Sequence, residues 1–466
     1  MTTSNTSAPY NSTTHSTSSG LAIGWISQPD GRGTIDILQS CALTTFLCAW
    51  SVLFLNIAVE RENRWDFFRN KIRWMAFVLF FPEVLTAIGA EQWRSARQSV
   101  EDFAQLRKEW ELALDSSKPP ENFSRTRSNL SRIKSFPWTM RHAFYADMGG
   151  LRLDCPDFTP FPIDSQQTVY LIRNGYLDYP NIKERAIWDK NKADGFARFL
   201  CLVQITWFAI QAFGRCAQHL ALSTFELSTL AFIFCTINTF FFLRHKPLDV
   251  ETPIALQSRT KLEDILIRAG DQARERYNDT PLDFIRPGTR TTSLIAPFWF
   301  GMRAVFRWRS NRGTLPVMTF SNTDPVPPRG MQISDTIYVN FFALTFYGIH
   351  LAAWHFTFPT PVERILWRAT SLTLLGLLIF YLFGTGFGTV MAGRLARWLF
   401  NNNEANTILA VASLLPPWAA FLVHSPVILT YIVARSYIII EGFVSLRVLP
   451  QSAFQTVNWS NFVPHF

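Results

Sequence analysis

Acidic residues in or beside apolar segments are the residues best suited to chemistry in this chain. Glu83 lies in the middle of an apolar run, Glu226 near the start of another, and Glu441 in the last one. Asp189 and Asp194 immediately precede a further apolar run. An ionisable side chain inside an apolar segment is costly, and a buried carboxyl group can keep its proton and act as an acid. These five residues are therefore the predicted catalytic candidates.

Each of these acids also has a structural explanation at the level of sequence. Glu83 and Glu226 lie within about two helical turns of a segment end, so their side chains can reach a polar boundary. Glu441 can pair with Arg435 or Arg447 on its own segment. Both interpretations stay open for each acid.

A polar stripe runs along one face of an apolar segment. Its members recur every three or four residues, the period of an α-helix: Asp194, Arg198, Cys201, Gln204, Trp207, Gln211 and Arg215. Lipid would not tolerate this face, so we expect it to line a cavity or to contact other helices. The substrate-binding candidates are Gln204, Trp207, Gln211 and Arg215 from the stripe, with Trp354 and Arg435 from later segments.

Mixed charges flank the ends of two neighbouring apolar segments. An antiparallel pairing would bring together Asp189, Asp194, Asp249, Glu251, Lys190, Lys192, Arg244 and Lys246. Such a group could bind Mg²⁺ and a phosphorylated headgroup, or form an interfacial salt-bridge cluster, which we favour. We therefore predict no cofactor and assign no metal ligands, with Mg²⁺ as the sole candidate. Signatures such as GxSxG, a P-loop, HExxH and GxGxxG are absent from the sequence.

Seven or eight apolar segments are predicted to position these residues, since about 20 apolar residues cross a bilayer. They are 37–59, 74–90, 196–215, 220–243, 337–358, 369–393, 407–423 and 426–446. Pro82 predicts a kink or a re-entrant turn in the second segment. The third and fourth form an antiparallel hairpin, so the long polar loops on either side of them lie on one membrane face.

The predicted fold is an all-α integral membrane protein, a bundle of about seven or eight transmembrane helices with two large polar loops on the same membrane face. Its divisions are a disordered Ser/Thr-rich tail (1–36), spans one and two (37–91), a large polar loop (92–195), the span hairpin (196–243), a second large loop with an interfacial aromatic and arginine-rich segment (244–336), the C-terminal spans (337–446) and a C-terminal tail (447–466).

Composition and charge agree with a membrane location. Among 466 residues, aromatic residues reach 15% and charged residues 17%, against roughly 25% charged residues in an average soluble domain. The net charge of +9 is spread through loops, which argues against nucleic acid as a partner. The expected partners are the lipid bilayer and a hydrophobic small-molecule substrate.

Orientation depends on whether the second segment crosses the membrane. A short basic loop after the first segment favours the cytosol, which makes the two large loops luminal if the second segment crosses and cytosolic if it re-enters. Sequons at Asn5, Asn11, Asn122, Asn129 and Asn278 favour the luminal arrangement and a glycoprotein. We expect the endoplasmic reticulum or another endomembrane as the location.

Several motifs in the same order resemble a large family of fungal multi-pass membrane proteins. They are His142-Ala143-Phe144 followed by Met148-Gly149-Gly150, Asp189-Lys190-Asn191-Lys192-Ala193-Asp194, Lys246-Pro247-Leu248-Asp249-Val250 and the closing Ala434-Arg435-Ser436-Tyr437. The resemblance covers nearly the whole chain. The chain is also similar to integral membrane terpene cyclases of meroterpenoid pathways, which protonate a terminal olefin or an epoxide. No catalytic set is carried over, and the NxxxDxxxD arrangement of membrane prenyltransferases is absent.

Three functions follow as hypotheses. The first is an enzyme of fungal secondary metabolism, an acid-initiated meroterpenoid cyclase. It needs a buried acid and aromatic faces that stabilise carbocations, and the aromatic candidates are Trp207, Trp354, Phe346 and Tyr347. The second is a transporter or channel for a small solute or protons. The third is a non-enzymatic membrane receptor or scaffold whose large loops bind a partner.

Overall fold

The computed structural model describes most of the chain, and the structural statements below concern these residues. They are 22–26, 31–57, 64–115, 123–189, 195–250, 252–274, 276–285, 296–306, 315–322, 333–403, 405 and 408–459. Several residues named above lie outside the described ranges: Asn5, Asn11, Asn122, Lys190, Asn191, Lys192, Ala193, Asp194 and Glu251.

Helices make up most of the described chain. They are α1 (Thr34–Ser51), α2 (Arg64–Phe80), α3 (Pro82–Asp115), α4 (Phe123–Ser135), α5 (Met140–Asp147), α6 (Ser165–Arg173), α7 (Glu184–Trp188), α8 (Gly195–Ala217), α9 (Thr224–Leu243), α10 (Leu262–Ala269), α11 (Ala296–Phe306), α12 (Ile333–Leu351), α13 (Pro361–Phe400), α14 (Ile408–Ser413) and α15 (Pro417–Val444). The strands are β1 (Ala22–Ile23), β2 (Leu151–Cys155), β3 (Phe158–Ile163), β4 (Ile254–Gln257) and β5 (Leu449–Pro450).

Five of the described helices are long and apolar enough to cross a membrane. They lie at Arg198–Ala217, Thr224–Leu243, Ser334–His355, Pro361–Gly388 and Pro417–Arg447. A sixth is added if α2 and α3, which meet at an angle of 108°, count as one span. The sharp bend lies at Pro82, where the sequence predicts a kink or a re-entrant turn, and proline lacks the N–H that would continue the helix.

Two predicted segments differ from the helices observed. The first was expected to run to residue 59, but α1 ends at Ser51 and the chain up to Ile57 packs against other elements in an irregular conformation. Asp36, Gln39 and the threonines and serines lower the hydropathy of α1, and it is not among the five candidate spans. In the last apolar region the break comes before Pro417, at the first turn of α15, and Pro426 lies inside that helix. Proline fits the first turn because that N–H needs no partner.

Helix α9 lies at the centre of the apolar helices. It packs against α1, α3, α12 and α15, while α13 packs against both α12 and α15. The apolar core between α9, α12, α13 and α15 contains Cys235, Phe346, Trp367, Leu374 and Ile438. Helix α11, from the aromatic segment predicted to be interfacial, packs along α15 and buries Met302.

The two regions expected as polar loops pack together as a folded unit with a small sheet. Strand β2 pairs with β3 in antiparallel register, Leu151 opposite Ile163. It also pairs in parallel register with β4, Leu151 opposite Ile254, and β4 comes from the second region. Both regions therefore lie at the same end of the α8–α9 hairpin. The chain is mainly helical, as predicted, with a few short strands in the regions that were expected to be polar loops.

A pair of glycines closes the motif that begins at His142. Gly149 has a φ of +87°, in the left-handed region, and the N–H of Gly150 donates to the Tyr145 carbonyl at 2.8 Å. The Gly150 carbonyl in turn accepts from the N–H of Ile254 at 2.7 Å, at the start of β4. This motif therefore joins the end of α5 to the sheet.

Gly150→Ala is expected to lower the free energy of unfolding by about 2 kcal/mol. A Cβ at this position would lie 2.4 Å from the Tyr145 carbonyl oxygen, so the backbone would have to shift. Thermal or denaturant unfolding in detergent measures the change. Gly376→Ala is the control, since nothing lies within 4 Å of its Cβ position. Equal stability of the two variants would contradict the prediction.

Candidate functional site

Glu83 lies in the first turn of α3, directly after the bend at Pro82. Its side chain is buried, with 8% of the residue exposed. The phenol of Tyr347 on α12 donates to its Oε1 at 3.0 Å, and the phenol of Tyr431 on α15 donates to the same oxygen. The proline bend thus places a carboxyl group between two other apolar helices, near the positive end of the α3 dipole, which favours negative charge.

The second oxygen of Glu83, Oε2, has no hydrogen-bond partner among the residues that the structure describes. Aromatic rings lie close to the carboxyl group: Phe81 stacks on Tyr431 with ring centroids 5.4 Å apart, and Phe298 meets Phe81 edge-on at 5.8 Å. An unpartnered buried oxygen costs free energy unless it carries a proton or meets a ligand. Glu83 therefore has one oxygen held in place and one available for proton transfer.

Arg435 donates a hydrogen bond to the end of α2, on the other side of the bend from Glu83. It lies one helical turn after Tyr431 on α15, and its Nε donates to the carbonyl of Phe80 at 3.1 Å, at the end of α2. The carbonyls of a last helical turn lack partners within their own helix, so this bond satisfies one of them. The guanidinium also stands over the ring of Phe346, 5.2 Å from its centroid.

His350 supports Arg435 as a neutral ring in one tautomer. Arginine has no acceptor, so the 3.4 Å contact between Arg435 Nη1 and His350 Nε2 makes that ring nitrogen the acceptor. The proton then lies on Nδ1, which donates to the carbonyl of Phe346 at 3.1 Å. The indole N–H of Trp367 donates to the carbonyl of His350 at 3.1 Å. This tautomer is assigned from the hydrogen-bond network.

Arg435→Met is expected to lower the free energy of unfolding by about 3 kcal/mol, because it leaves the Phe80 carbonyl and His350 Nε2 without their donor. The matched control is Arg397→Met, whose guanidinium is exposed on α13 and which should cost about 0.5 kcal/mol or less. Denaturant unfolding in detergent compares the two. An Arg435→Met protein as stable as the control would show that this cation does not hold the bend.

The other predicted acids lie in different surroundings. Glu226 caps the start of α9, where its Oε2 accepts from the N–H of Ser223 at 2.9 Å, and its Oε1 pairs with Arg32. Glu441 is buried on α15, close to Tyr437. Asp189 is exposed at the end of α7, and Asp194 lies outside the described residues. Of the predicted acids that the structure describes, only Glu83 contacts the phenols of two other helices.

The polar stripe of α8 contacts several separate partners. Gln204 donates to the Thr44 hydroxyl on α1 at 3.0 Å, and Trp207 is more than half exposed with its ring 6.0 Å from that of Trp459. Gln211 is half-buried. Arg215 donates to a set of backbone carbonyls near the C-terminus, those of Ser452, Ala453 and Gln455, and to that of Ala221. Through these contacts α8 packs against α1 and against the C-terminal segment.

Trp354, the remaining substrate-binding candidate, lies just after α12. Its carbonyl accepts two hydrogen bonds from Arg368, at 2.9 and 2.6 Å, and the Arg368 guanidinium stands 4.8 Å from its ring. Of the substrate-binding candidates, only Arg435 lies in the Glu83 cluster, which we define as Glu83, Tyr347, His350, Tyr431 and Arg435.

Tyr431 is the member of the Glu83 cluster that sequence reasoning missed. Its signal was available, because Tyr431 and Arg435 are one turn apart and share a helical face. Tyr347 was expected only as an aromatic wall, and His350 was not among the predicted site residues. The structure shows these two as a hydrogen-bond donor to Glu83 and an acceptor from Arg435.

No group of three or more histidine, cysteine, aspartate or glutamate side chains converges on a possible metal position in the part of the chain that the structure describes. Asp249, one of the predicted Mg²⁺ candidates, instead pairs with Lys71 at 2.7 Å. The absence of a cofactor stays a prediction.

A second polar cluster surrounds Lys246, three residues beyond α9. Its Nζ donates to Asn56 Oδ1 and to Gln92 Oε1, both at 3.0 Å. The amide of Asn56 donates to the carbonyls of Phe320 and Ser321, both at 3.3 Å. Burial lowers the pKa of Lys246 from 10.5 to about 7, and the charge of Asp147 partly opposes this. This lysine holds together segments from several parts of the chain.

These features define a class: a mainly helical protein with five or six helices long and apolar enough to cross a membrane, and a buried cluster of a carboxyl group, phenols and a guanidinium. The chain belongs to a family of unknown function, DUF8562, whose family model matches residues 8–268 and 335–466. No curated protein and no solved structure matches the chain.

Proposed function

We propose that this chain is a multi-pass membrane protein of fungal endomembranes whose folded polar unit lies on one membrane face. The five or six apolar helices support this, as does the pairing of β2 with β4, which joins the two polar regions at one end of the α8–α9 hairpin. Glycosylation at Asn129 has no support, because this residue is buried and its Oδ1 accepts from the backbone N–H of Tyr179 at 3.0 Å.

The activity that we propose is acid-initiated cyclisation of a terpene or meroterpenoid substrate, with Glu83 as the acid. The observation that carries it is the Oε2 of a buried carboxyl group, which has no partner in the described part of the chain, while two phenols hold the other oxygen. A proton on Oε2 would pass to a terminal olefin carbon or to an epoxide oxygen. The carbocation would close onto a neighbouring double bond and end the reaction by losing a proton.

The surrounding side chains can stabilise both products of that proton transfer, the carboxylate and the carbocation. Once Glu83 has lost its proton, the phenols of Tyr347 and Tyr431 and the positive charge of Arg435 stabilise the carboxylate that remains. The rings of Phe81 and Phe346 offer π-faces to a cation. Apolar helix packing around the cluster limits water, which would otherwise capture the cation.

The test is the metabolite profile of a host that expresses the chain and is fed linear farnesylated phenols or their epoxides. A cyclised product that is absent from the host with an empty vector supports the proposal. The amount of folded, membrane-inserted protein is measured in the same cells by fluorescence-detected size exclusion. Correctly inserted protein without a cyclised product contradicts the proposal.

Proton or solute transport is the second candidate, since the ionisable residues Glu83, His350 and Arg435 are buried together among the apolar helices. Ionisable groups at such positions often mark an ion path. Protein reconstituted in liposomes with an internal pH dye would distinguish the functions: proton flux that Glu83→Gln abolishes supports transport, whereas turnover without flux supports the enzyme. A receptor or scaffold would show neither.

A further inference from the structure

A cluster of charges lies where the ends of several apolar helices meet. Lys71 of α2 forms an ion pair with Asp249, which follows α9, with Nζ and Oδ2 2.7 Å apart. Arg198, near the start of α8, interacts electrostatically with Asp249. Among the described residues, two positive charges of this cluster therefore face one negative charge, an excess of one positive charge.

Aromatic rings form one side of this cluster. The Nζ of Lys71 lies 5.3 Å from the ring centroid of Trp50 and 5.2 Å from that of Phe67. The guanidinium carbon of Arg198 lies 4.8 Å from the ring centroid of Phe54. A π-face attracts a cation but is a poor hydrogen-bond acceptor, so these rings position both cations without satisfying their N–H groups.

The guanidinium of Arg198 lacks an acceptor on one edge. Its Nε and Nη2 are buried and have no hydrogen-bond partner within the described ranges of the chain. These two nitrogens make up one fork of the guanidinium, the geometry that binds two oxygens of a phosphate or carboxylate. Leaving such donors unpaired costs about 1–3 kcal/mol or more. This orphaned edge indicates an acceptor that the described residues do not supply.

We propose that Arg198 and Lys71 bind a phosphate group at the ends of the apolar helices. Arg198 would contact two phosphate oxygens through Nε and Nη2, and Lys71 would add a point charge. Asp249 holds Lys71 in place and competes with the phosphate for it. If the helices span a bilayer, this site lies at the depth of lipid headgroups, where an anionic lipid or a soluble phosphate ester can reach it. The proposal does not depend on the activity of Glu83.

Variants that remove a positive charge and the variant that removes the negative charge should change phosphate binding in opposite directions. Arg198→Gln and Lys71→Gln each remove one positive charge and should weaken phosphate binding about tenfold. Asp249→Asn removes the competing carboxylate charge and should tighten it. Arg69→Gln is the control, because Arg69 lies on the same helix as Lys71 but is exposed and pairs with Asp66.

The experiment uses the full chain in detergent and in nanodiscs. Inorganic phosphate is titrated against the detergent-solubilised protein, and native mass spectrometry counts lipids retained from nanodiscs of phosphatidylcholine with or without phosphatidic acid. Binding of phosphatidic acid alone identifies a lipid headgroup site, and binding of both phosphate forms identifies a general phosphate site; either result supports the proposal if Arg198→Gln weakens it. Glu83→Gln should leave this binding unchanged.

Two outcomes overturn the proposal. The first is that the wild type binds neither phosphate nor phosphatidic acid. The second is equal binding by the wild type, Arg198→Gln and Asp249→Asn. Lys71→Gln breaks an ion pair and can disturb the fold, but Asp249→Asn is expected to increase binding, and a misfolded protein would not do so.

Discussion

Glu83→Gln is expected to lower the formation of a cyclised product about a hundredfold or more, because an amide cannot donate the proton that starts the reaction. The fold should survive the change. Glutamine has nearly the shape of glutamate, and its amide oxygen can still accept from the phenols of Tyr347 and Tyr431. The measurement is product formed per amount of inserted protein in a host fed linear farnesylated phenols or their epoxides.

Two further acid-to-amide changes serve as matched controls. Glu441→Gln should retain product formation because Glu441 does not contact the phenols that hold Glu83. Glu226→Gln should also retain it for each molecule that folds, although the loss of the Arg32 pair lowers the yield. If Glu83→Gln retains the product and one control loses it, the assignment of the acid is wrong.

Lys246→Met is expected to remove a pH dependence of stability from the folded chain. Burial lowers the pKa of Lys246 from 10.5 to about 7. Between these values the unfolded chain holds a proton that the folded chain has released, so stability rises with pH across this range. Below pH 7 both states are protonated, and the folded state carries the full free-energy cost of the buried charge, about 5 kcal/mol at roughly 1.4 kcal/mol per pKa unit.

Unfolding in detergent at several values between about pH 7 and about pH 10 measures this slope. In Lys246→Met, the part of this slope that comes from Lys246 should disappear. The stability of the variant relative to the wild type should be greatest at the low end of the pH range. The lost bonds to Asn56 and Gln92 shift the whole curve without changing its slope. Lys183→Met, at an exposed lysine before α7, should keep the wild-type slope. An unchanged slope in Lys246→Met would contradict the prediction.

The sequence singled out Glu83 and Arg435 because charged residues are rare within apolar segments, and the structure places both at the Pro82 bend. The sequence could not show which of Glu83, Glu226 and Glu441 is the acid, because all three have similar apolar neighbours along the chain. In the structure, these acids differ in their partners, which are distant in sequence: Tyr347 and Tyr431 for Glu83, and Arg32 for Glu226.

Local features of the chain are sufficient to predict many of the helices and the bend. Uninterrupted apolar residues indicate long helices, and Pro82 interrupts the backbone hydrogen bonds of its own segment whatever surrounds it. The resemblance motif at Gly149 and Gly150 was visible as a pattern. Its role in joining α5 to the sheet was not, because that depends on β4, about a hundred residues away.

The sequence by itself determined that this is a mainly helical chain with apolar helices, a proline bend and rare charges within apolar segments. Only the tertiary structure decided which of those charges are neighbours, that the two polar regions share one sheet, and that Arg198 has an edge without an acceptor among the described residues. The reason is physical: hydropathy and helical period are properties of adjacent residues, whereas a buried charge is defined by the side chains that packing brings to it from elsewhere in the chain.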